Sequence, residues 1–290
     1  MKYSAPVMGT GKKKIAVGMS GGVDSSITAY LLKQQGHEVV GIMMAIWAGD
    51  PSWKVPDGNA CYNPNEGQEV KEASAFAEKI GIPFHVFDLK KEYQKTVLDR
   101  FVSGYLEGQT PNPCVICNHQ MKFGSLFEAA QKNLDFDCFA TGHYVQVQQA
   151  ENGGRHLLKK GIDAKKDQSY FLYRLKQEQL AKTLCPLGGY EKKEVWKISD
   201  ELGLKFHGES QDFIAGKDYS VLFKTGKEPG PILDATGKEI GQHNGIIHYT
   251  IGQRKGINTL SNERLYVSAI EPQTNTIRVD LKEKLFFADV

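Results

Sequence analysis

The sequence predicts an α/β protein with a doubly wound parallel sheet, followed by a small helical central segment and a β domain. Along residues 1–150, short apolar runs alternate with helical patterns, which is typical of parallel strands with helices on both faces. The first apolar run ends in a glycine-rich turn that opens a helix. After Gly208 the pattern changes to short β-rich runs separated by Gly, Asn and Pro, which indicates the β domain.

The predicted elements of the first part follow at short intervals. The pattern predicts strands at residues 15–17, 38–44, 84–89 and 138–141, and helices at 25–36, 69–80, 92–104 and 123–133. Each helix lies between two strands or precedes one. A right-handed crossover at each step builds one parallel sheet.

Turn signals divide the chain into three predicted parts. Asn152-Gly153-Gly154 marks a first boundary, so residues 1–150 form the catalytic domain. Residues 151–208 form a segment with helices at 176–184 and 192–202. Residues 209–290 form the small β domain, with β-rich runs at 230–233, 245–249, 265–271 and 276–280.

Composition indicates an ordinary globular protein. The 290 residues are 40% hydrophobic and 24% charged with a net charge of +2, which neither proves nor excludes a polyanionic partner. No apolar leader or 18-residue apolar window is present, so we expect a cytoplasmic protein without a membrane partner. Five cysteines form an odd, sparse set that argues against a secreted disulfide framework.

The turn after the first strand has the composition of a phosphate-binding loop. Its glycines let backbone N–H groups approach an anion, and the start of the next helix adds favourable partial charge. The lysine of a Walker A loop is absent. Hydroxyls at Ser20, Ser25 and Ser26 and the carboxylate of Asp24 suit binding of pyrophosphate and Mg²⁺. The alternative is an ordinary strand-to-helix turn with a polar N-cap.

A second candidate site is the Cys-x-x-Cys pair Cys114 and Cys117. Prolines on both sides of Asn112 predict an irregular loop that could carry both thiols to a substrate. Such a pair is compatible with half a zinc site, a redox pair, iron–sulfur ligands, a persulfide carrier or two unrelated cysteines. Zinc would also require ligands such as His119 or His143 to converge in space.

The loop resembles that of the PP-loop ATP pyrophosphatase family, which includes GMP and NAD synthetases, argininosuccinate synthetase and tRNA thiolation enzymes. Further motifs in one order make the chain similar to the tRNA-specific 2-thiouridylase family, with an adenine nucleotide alpha hydrolase-like fold. These motifs are Gly18-Met19-Ser20-Gly21-Gly22-Val23-Asp24-Ser25, Asn112-Pro113 with Cys117-Asn118, Ala140-Thr141-Gly142-His143-Tyr144, Lys166-Asp167-Gln168-Ser169-Tyr170-Phe171-Leu172, and Thr250-Ile251-Gly252-Gln253-Arg254-Lys255-Gly256.

The resemblance implies a reaction and a set of site residues. Uridine O2 would attack the α-phosphate of ATP, and a sulfur nucleophile would then attack C2 and expel AMP. Cys117 would handle sulfur, with Cys114 and Asp24 as further catalytic residues. The ATP site would comprise Gly18, Met19, Ser20, Gly21, Gly22, Val23, Asp24, Ser25, Met44 and Gly142. The tRNA would contact Asn112, Pro113, His143, Lys166, Asp167 and Gln168, although Lys166 alone fits a surface lysine and His143 alone a packing residue.

The chain departs from the family pattern at the second catalytic cysteine. The family carries a persulfide cysteine in a segment that here is Glu209-Ser210-Gln211-Asp212-Phe213-Ile214, without the cysteine. Either Cys114 replaces it, or Cys61, Cys114 and Cys117 bind a 4Fe-4S cluster whose fourth iron holds sulfide. Cys61 is expected in an irregular loop at residues 57–67, whereas Cys138 and Cys185 are expected to be inert. The chain also reaches only Val290, short of the family's full barrel.

Two other functions remain compatible with the sequence. A PP-loop sulfur transferase or ligase could act on a small molecule, and a nucleotide-binding module could use Cys114 and Cys117 for redox sensing. The motifs at residues 166–172 and 250–256 favour tRNA over both. A sulfur donor is also required: a sulfur-carrier protein, a cysteine desulfurase or inorganic sulfide.

Overall fold

The computed structural model describes residues 11–49, 53, 60–151, 153–204, 212–216, 218–259 and 263–285. These form two compact units. Unit 1 comprises residues 1–96 and 114–217, and unit 2 comprises residues 97–113 and 218–290. These units are defined by contacts between residues and each combines two stretches of the chain, whereas the predicted three-part division cuts the chain at turn signals. That division stays a prediction.

The strands in chain order are β1 (Lys14–Gly18), β2 (Glu38–Ala45), β3 (Ala60–Tyr62), β4 (Phe84–Asp88), β5 (Cys138–Ala140), β6 (Val145–Gln149), β7 (His156–Lys160), β8 (Thr183–Leu184), β9 (Asp212–Ile214), β10 (Gly230–Leu233), β11 (Glu239–His243), β12 (Leu265–Glu271) and β13 (Thr276–Leu281). The α-helices are α1 (Val23–Gln34), α2 (Glu66–Lys79), α3 (Lys90–Tyr93), α4 (Asp99–Leu106), α5 (Pro113–Ile116), α6 (Phe127–Asn133), α7 (Gln177–Ala181) and α8 (Lys192–Glu201). Among the described residues, no helix has the length and apolar character needed to cross a membrane.

The parallel sheet of unit 1 confirms the predicted fold class. Its strand order is β4-β2-β1-β5-β8, and each neighbouring pair is parallel. β1 is central because the chain leaves it towards β2 on one side and returns later to β5 on the other. The carboxyl ends of β1 and β5 therefore flank the point where the winding direction reverses, where such sheets bind ligands.

The helix that follows β1 is held by its apolar face. Val23, Ile27 and Leu31 recur at helical spacing and are at most 2% exposed. They pack in one cluster with Val195 and Ile198 of α8, so burial of both apolar faces fixes α8 against α1. The start of α8 thereby comes close to the start of α1.

The predicted irregular loop around the cysteine pair is wrong. Cys114 lies in α5, and Cys117 begins a π-helical segment (Cys117–Leu126) that continues into α6. Pro113 is the first residue of α5, where the missing N–H costs nothing because that position has no intrahelical acceptor. The proline therefore starts the helix.

Two other local predictions are corrected. Cys61 lies in β3, which pairs in parallel with β9, instead of an irregular loop. Asn152 of the predicted turn lies outside the described residues; Gly153 and Gly154 lie between β6 and β7, an antiparallel hairpin within unit 1, and the domain boundary predicted there stays a prediction. Within residues 245–249, predicted to be β-rich, Ile246–His248 form a 3₁₀ helix.

Unit 2 contains a four-stranded sheet of order β11-β10-β13-β12. The β10–β13 pair is parallel, and the other two pairs are antiparallel. Aromatic rings of α4 pack within the same unit: Phe101 and Tyr105 lie 5.5 and 5.2 Å from the ring of Tyr219. The predicted carboxyl-terminal β domain is thus present, with a helix from earlier in the chain in its core.

Candidate active site

The glycine-rich loop lies at the carboxyl end of β1, at the point where the sheet reverses its winding. Gly21 has a φ of 75°, which L side chains rarely adopt. The Ser20 N–H donates to Ser25 Oγ at 3.1 Å, and that hydroxyl donates to the Gly22 carbonyl at 3.1 Å. Ser25 thus closes the loop on itself and holds it at the start of α1.

Gly142 lies directly against this loop. A Cβ on Gly142 would be 2.8 Å from the carbonyl carbon of Asp24 and 2.9 Å from the Ser25 nitrogen. The contact follows from the sheet, because β1 and β5 are parallel neighbours whose carboxyl ends meet at one edge. Residues predicted from two distant motifs are therefore adjacent.

Asp24 is bound by two side chains that the sequence analysis missed. Lys192 Nζ lies 2.6 Å from Asp24 Oδ1 and 2.8 Å from Oδ2. The Tyr144 hydroxyl donates to Asp24 Oδ1 at 2.8 Å. The side chain of Lys192 is 9% exposed and that of Asp24 is 32% exposed, so the carboxylate remains accessible from one side.

Met44 lies near the carboxyl end of β2. Gly18 of β1 pairs with Ile42, so Met44 extends two residues beyond the level at which the loop begins. Beyond β2, the buried carboxylate of Glu66 accepts the backbone N–H groups of Ile46 and Trp47 at 2.6 and 2.9 Å. Glu66 thereby fixes the chain that leaves the strand, a second feature that the sequence analysis missed.

The charges of Cys61 and Cys114 act on the buried thiol of Cys117, and that of Cys61 also acts on Cys114. Burial, with a smaller contribution from Cys61, raises the pKa of Cys114 to about 11 and that of Cys117 to about 12. Lys122 opposes the rise in both. Burial also raises the pKa of Tyr93, with smaller contributions from all three thiols. Cys61 is exposed, whereas Cys117 is buried.

These thiols do not form a metal site as they stand. Among the described residues, no group of three His, Cys, Asp or Glu side chains could hold a metal ion. The structure therefore gives no support for a 4Fe-4S cluster on Cys61, Cys114 and Cys117.

The residues predicted to contact tRNA occupy different environments. His143 is 8% exposed, and its Nδ1 lies 2.8 Å from Thr141 Oγ1. Gln168 Oε1 accepts the Tyr144 N–H at 2.9 Å, and Asp167 Oδ1 accepts the Gly161 N–H at 3.1 Å. Lys166 is half-buried in unit 1, whereas Asn112 and Pro113 belong to unit 2. Their contacts with tRNA stay predictions.

The parallel sheet and the glycine loop at its reversal point define a PP-loop protein of the α/β class. A family model described as tRNA methyl transferase HUP domain matches residues 13–214, and one described as tRNA methyl transferase PRC-barrel domain matches residues 221–280.

Close relatives identify the particular family. The tRNA-specific 2-thiouridylase MnmA of Clostridioides difficile (strain 630) is 43% identical over 94% of this chain and 76% of its own length. The tRNA-specific 2-thiouridylase MnmA 2 of Thermoanaerobacter sp. (strain X514) is 45% identical with the same coverage. The chain belongs to the tRNA-specific 2-thiouridylase family. A solved 4-thiouridine synthetase–RNA complex is more distant, with 16% identity, coverage of 66% of this chain and 41% of that chain, and a TM-score of 0.41.

Gly142→Ala tests the contact between β5 and the loop. The new methyl group would meet backbone atoms at 2.8 and 2.9 Å, so the loop must shift. We expect ATP to bind about tenfold more weakly, with a loss of stability of about 1 to 3 kcal/mol. Calorimetric titration with ATP and thermal melting measure both. Gly67→Ala is the control because nothing lies within 4 Å of its Cβ position in α2; equal effects of the two substitutions would contradict the contact.

Glu69 makes stability depend on pH. Burial raises its pKa from 4.5 to about 7, and a hydrogen bond from Asn63 only partly opposes this. A carboxyl whose pKa is raised by folding stabilises the protein while protonated, and this contribution is lost as pH rises through the folded value. We expect the wild-type Tm to fall between about pH 5 and pH 8 more than that of Glu69→Gln. The control is Glu78→Gln at an exposed position, whose dependence of Tm on pH should follow that of the wild type. If the Tm values of wild type and Glu69→Gln change in parallel with pH, the prediction is wrong.

Proposed function

We propose that this protein thiolates the wobble uridine of tRNA at C2 in an ATP-dependent reaction in the cytoplasm. Uridine O2 attacks the α-phosphate of ATP and releases pyrophosphate. A sulfur nucleophile then attacks C2 and expels AMP. The observation that carries the proposal is the phosphate loop, held against Gly142, in a chain 43% and 45% identical to two tRNA-specific 2-thiouridylases.

The loop residues would bind the triphosphate. Gly18, Met19, Ser20, Gly21, Gly22 and Val23 lead into the start of α1, where backbone N–H groups and the helix dipole favour an anion. Met44 and Gly142 would border the nucleotide. Mg²⁺ would come with ATP and be held mainly by phosphate oxygens, since Asp24 is the one loop carboxylate and already contacts Lys192. These groups stabilise the charge that develops on the leaving pyrophosphate.

The matched family models carry descriptions that refer to methyl transfer, whereas the relatives are named for thiolation. The site favours thiolation. Adenylation turns the carbonyl oxygen of a base into a leaving group, which sulfur insertion requires and methyl transfer does not. The free thiols of Cys61, Cys114 and Cys117 are residues that can carry sulfur.

For the sulfur step we propose a route through two cysteines. A donor leaves a persulfide on one cysteine, whose terminal sulfur bonds to C2 as the bond from C2 to the AMP oxygen breaks. A second cysteine thiolate then attacks the first cysteine's sulfur. This breaks the S–S bond, leaves the thiocarbonyl on the base and produces a protein disulfide, which a thiol reductant returns to two thiols.

The strand pairing suggests which cysteines take part. β9 comprises the last three residues, Asp212–Ile214, of the segment in which the expected second cysteine is missing. Ala60 and Tyr62 of β3 pair with Asp212 and Ile214 of β9, which puts Cys61 level with Phe213. Cys61 is exposed and accessible to a sulfur donor, whereas Cys117 is buried with a pKa of about 12. We assign persulfide formation to Cys61 and release to Cys117, with Cys114 as the alternative partner.

A 4Fe-4S cluster on Cys61, Cys114 and Cys117 is the second candidate for the sulfur step. The positions of the described side chains do not favour it. Iron analysis of anaerobically purified protein decides between the routes, because full activity without iron excludes the cluster.

An exposed aromatic pair supports tRNA as the substrate. Tyr170 and Tyr173 are 65% and 62% exposed, and their ring centroids lie 5.9 Å apart. Lys166 and Arg174 flank them in the sequence. Exposed rings next to basic side chains are a typical platform for unstacked bases of RNA. A small-molecule sulfur transferase or a redox-sensing module would need no such surface.

The central test supplies ATP, Mg²⁺, unmodified tRNA, a thiol reductant and either sulfide or a cysteine desulfurase with cysteine. We expect ATP-dependent 2-thiouridine in digested tRNA, measured by mass spectrometry of nucleosides. With the desulfurase, which delivers sulfur as a persulfide, Cys117→Ser and Cys61→Ser should each reduce the rate by at least about 100-fold because the two-thiol route loses a partner.

Cys138→Ala is the matched control, since this thiol is buried in β5. Absence of 2-thiouridine with every sulfur source would overturn the proposed function. Full activity of Cys61→Ser with Cys117→Ser inactive would leave the function intact and transfer the second role to Cys114.

Replacing the aromatic pair should weaken tRNA binding without affecting ATP. Because stacking on one base contributes about 1 to 3 kcal/mol, Tyr170→Ala with Tyr173→Ala should raise the Kd for tRNA by at least about fivefold. Filter binding measures this, and Tyr170→Phe should retain most of the affinity. An unchanged Kd in the double variant would remove these rings from the tRNA site.

A further inference from the structure

Lys192 is a buried cation at the edge of the phosphate loop. Its ammonium group contacts both carboxylate oxygens of Asp24 and lies 5.5 and 5.1 Å from the ring centroids of Tyr144 and Trp196. The aromatic faces stabilise a cation and shield it from water. The side chain therefore has one defined position, directed at the loop.

This position is unfavourable for a lysine on structural grounds alone. Lys192 is the first residue of α8, where the helix dipole disfavours positive charge, and its side chain is only 9% exposed. The neighbouring helix start is otherwise well formed, since the Glu191 N–H donates to Glu194 Oε2 at 2.8 Å. Burial and the helix dipole both disfavour a charged lysine at this position. We therefore look for its role in the ion pair with Asp24.

We propose that Lys192 is a positioning residue that neutralises Asp24 so that the loop can accept the polyphosphate of a nucleotide. The inference rests on the proposed function for the identity of that nucleotide as ATP. Without Lys192, the Asp24 carboxylate would lie uncompensated at the start of α1 and repel the phosphates. Lys192 thus compensates for the lysine that the loop itself lacks, from α8, 168 residues away along the chain.

The charge argument distinguishes this role from packing. Repulsion between Asp24 and a nucleotide grows with the number of phosphates, so loss of Lys192 should weaken ATP binding more than AMP binding. A packing defect would weaken the binding of both nucleotides to similar extents. A packing defect would also persist when Asp24 loses its charge. Both differences can be measured in metal-free solution, where coordination of Mg²⁺ by Asp24 plays no part.

The experiment measures ATP and AMP binding by calorimetry in EDTA. For Lys192→Met we expect ATP to bind at least about tenfold more weakly, equivalent to about 1.4 kcal/mol, and AMP less than about threefold more weakly. Lys193→Met is the matched control. It removes the same charge from the next residue, whose side chain is 80% exposed and pairs with Glu191, and should stay within about twofold of wild type.

Two further variants test the charge itself. Asp24→Asn combined with Lys192→Met should recover most of the ATP affinity, because neither charge remains. Lys192→Arg keeps the positive charge and should retain most of the ATP affinity. This variant can be measured even if Lys192→Met fails to fold. Equal ATP affinity of wild type and Lys192→Met, or no recovery in the double variant, overturns the inference. A wild type that binds ATP neither in EDTA nor with Mg²⁺ refutes the proposed function instead.

Discussion

The site depends on the parallel pairing of β1 with a strand on each side. β2 follows β1 in the chain, whereas β5 arrives after another hundred residues, so the winding reverses between β1 and β5. This reversal puts the loop after β1 against Gly142 after β5. It also leaves α1 free to pack its apolar face on α8. The positions of the loop, of Gly142 and of Lys192 beside Asp24 therefore all follow from one strand order.

The protein provides two electrostatically different environments in unit 1. At the loop, Asp24 is paired and partly exposed, which suits a charged phosphate ligand. Around Cys117, burial raises the pKa to about 12, so the thiol is protonated at neutral pH. A protonated thiol reacts slowly with oxidants and electrophiles. The sulfur step then needs a base or a change of environment. The charge of Lys122 lowers the pKa of both Cys114 and Cys117 and would stabilise a thiolate there.

Features set by local chemistry could be predicted from the sequence. The alternation of strands and helices gave the fold class, and the glycines of the loop indicated where β1 ends. Features set by distant contacts could not. Nothing near Lys192 in the sequence links it to Asp24, because their proximity arises from packing between α1 and α8. The helix at Pro113 was missed because proline favours both loops and the first position of a helix, and only the following residues decide.

The pairing of β3 with β9 changes how the missing cysteine should be understood. A catalytic group is defined by its position in space, so a residue on a neighbouring strand can replace one lost from its partner. Parallel strands lie about 4.8 Å apart, and the register puts Cys61 level with Phe213. A thiol on β3 at this level therefore lies about one strand spacing from the backbone of β9. Which thiols can take part in the sulfur step therefore depends on their positions in the fold, and a local sequence motif is a poor guide to them.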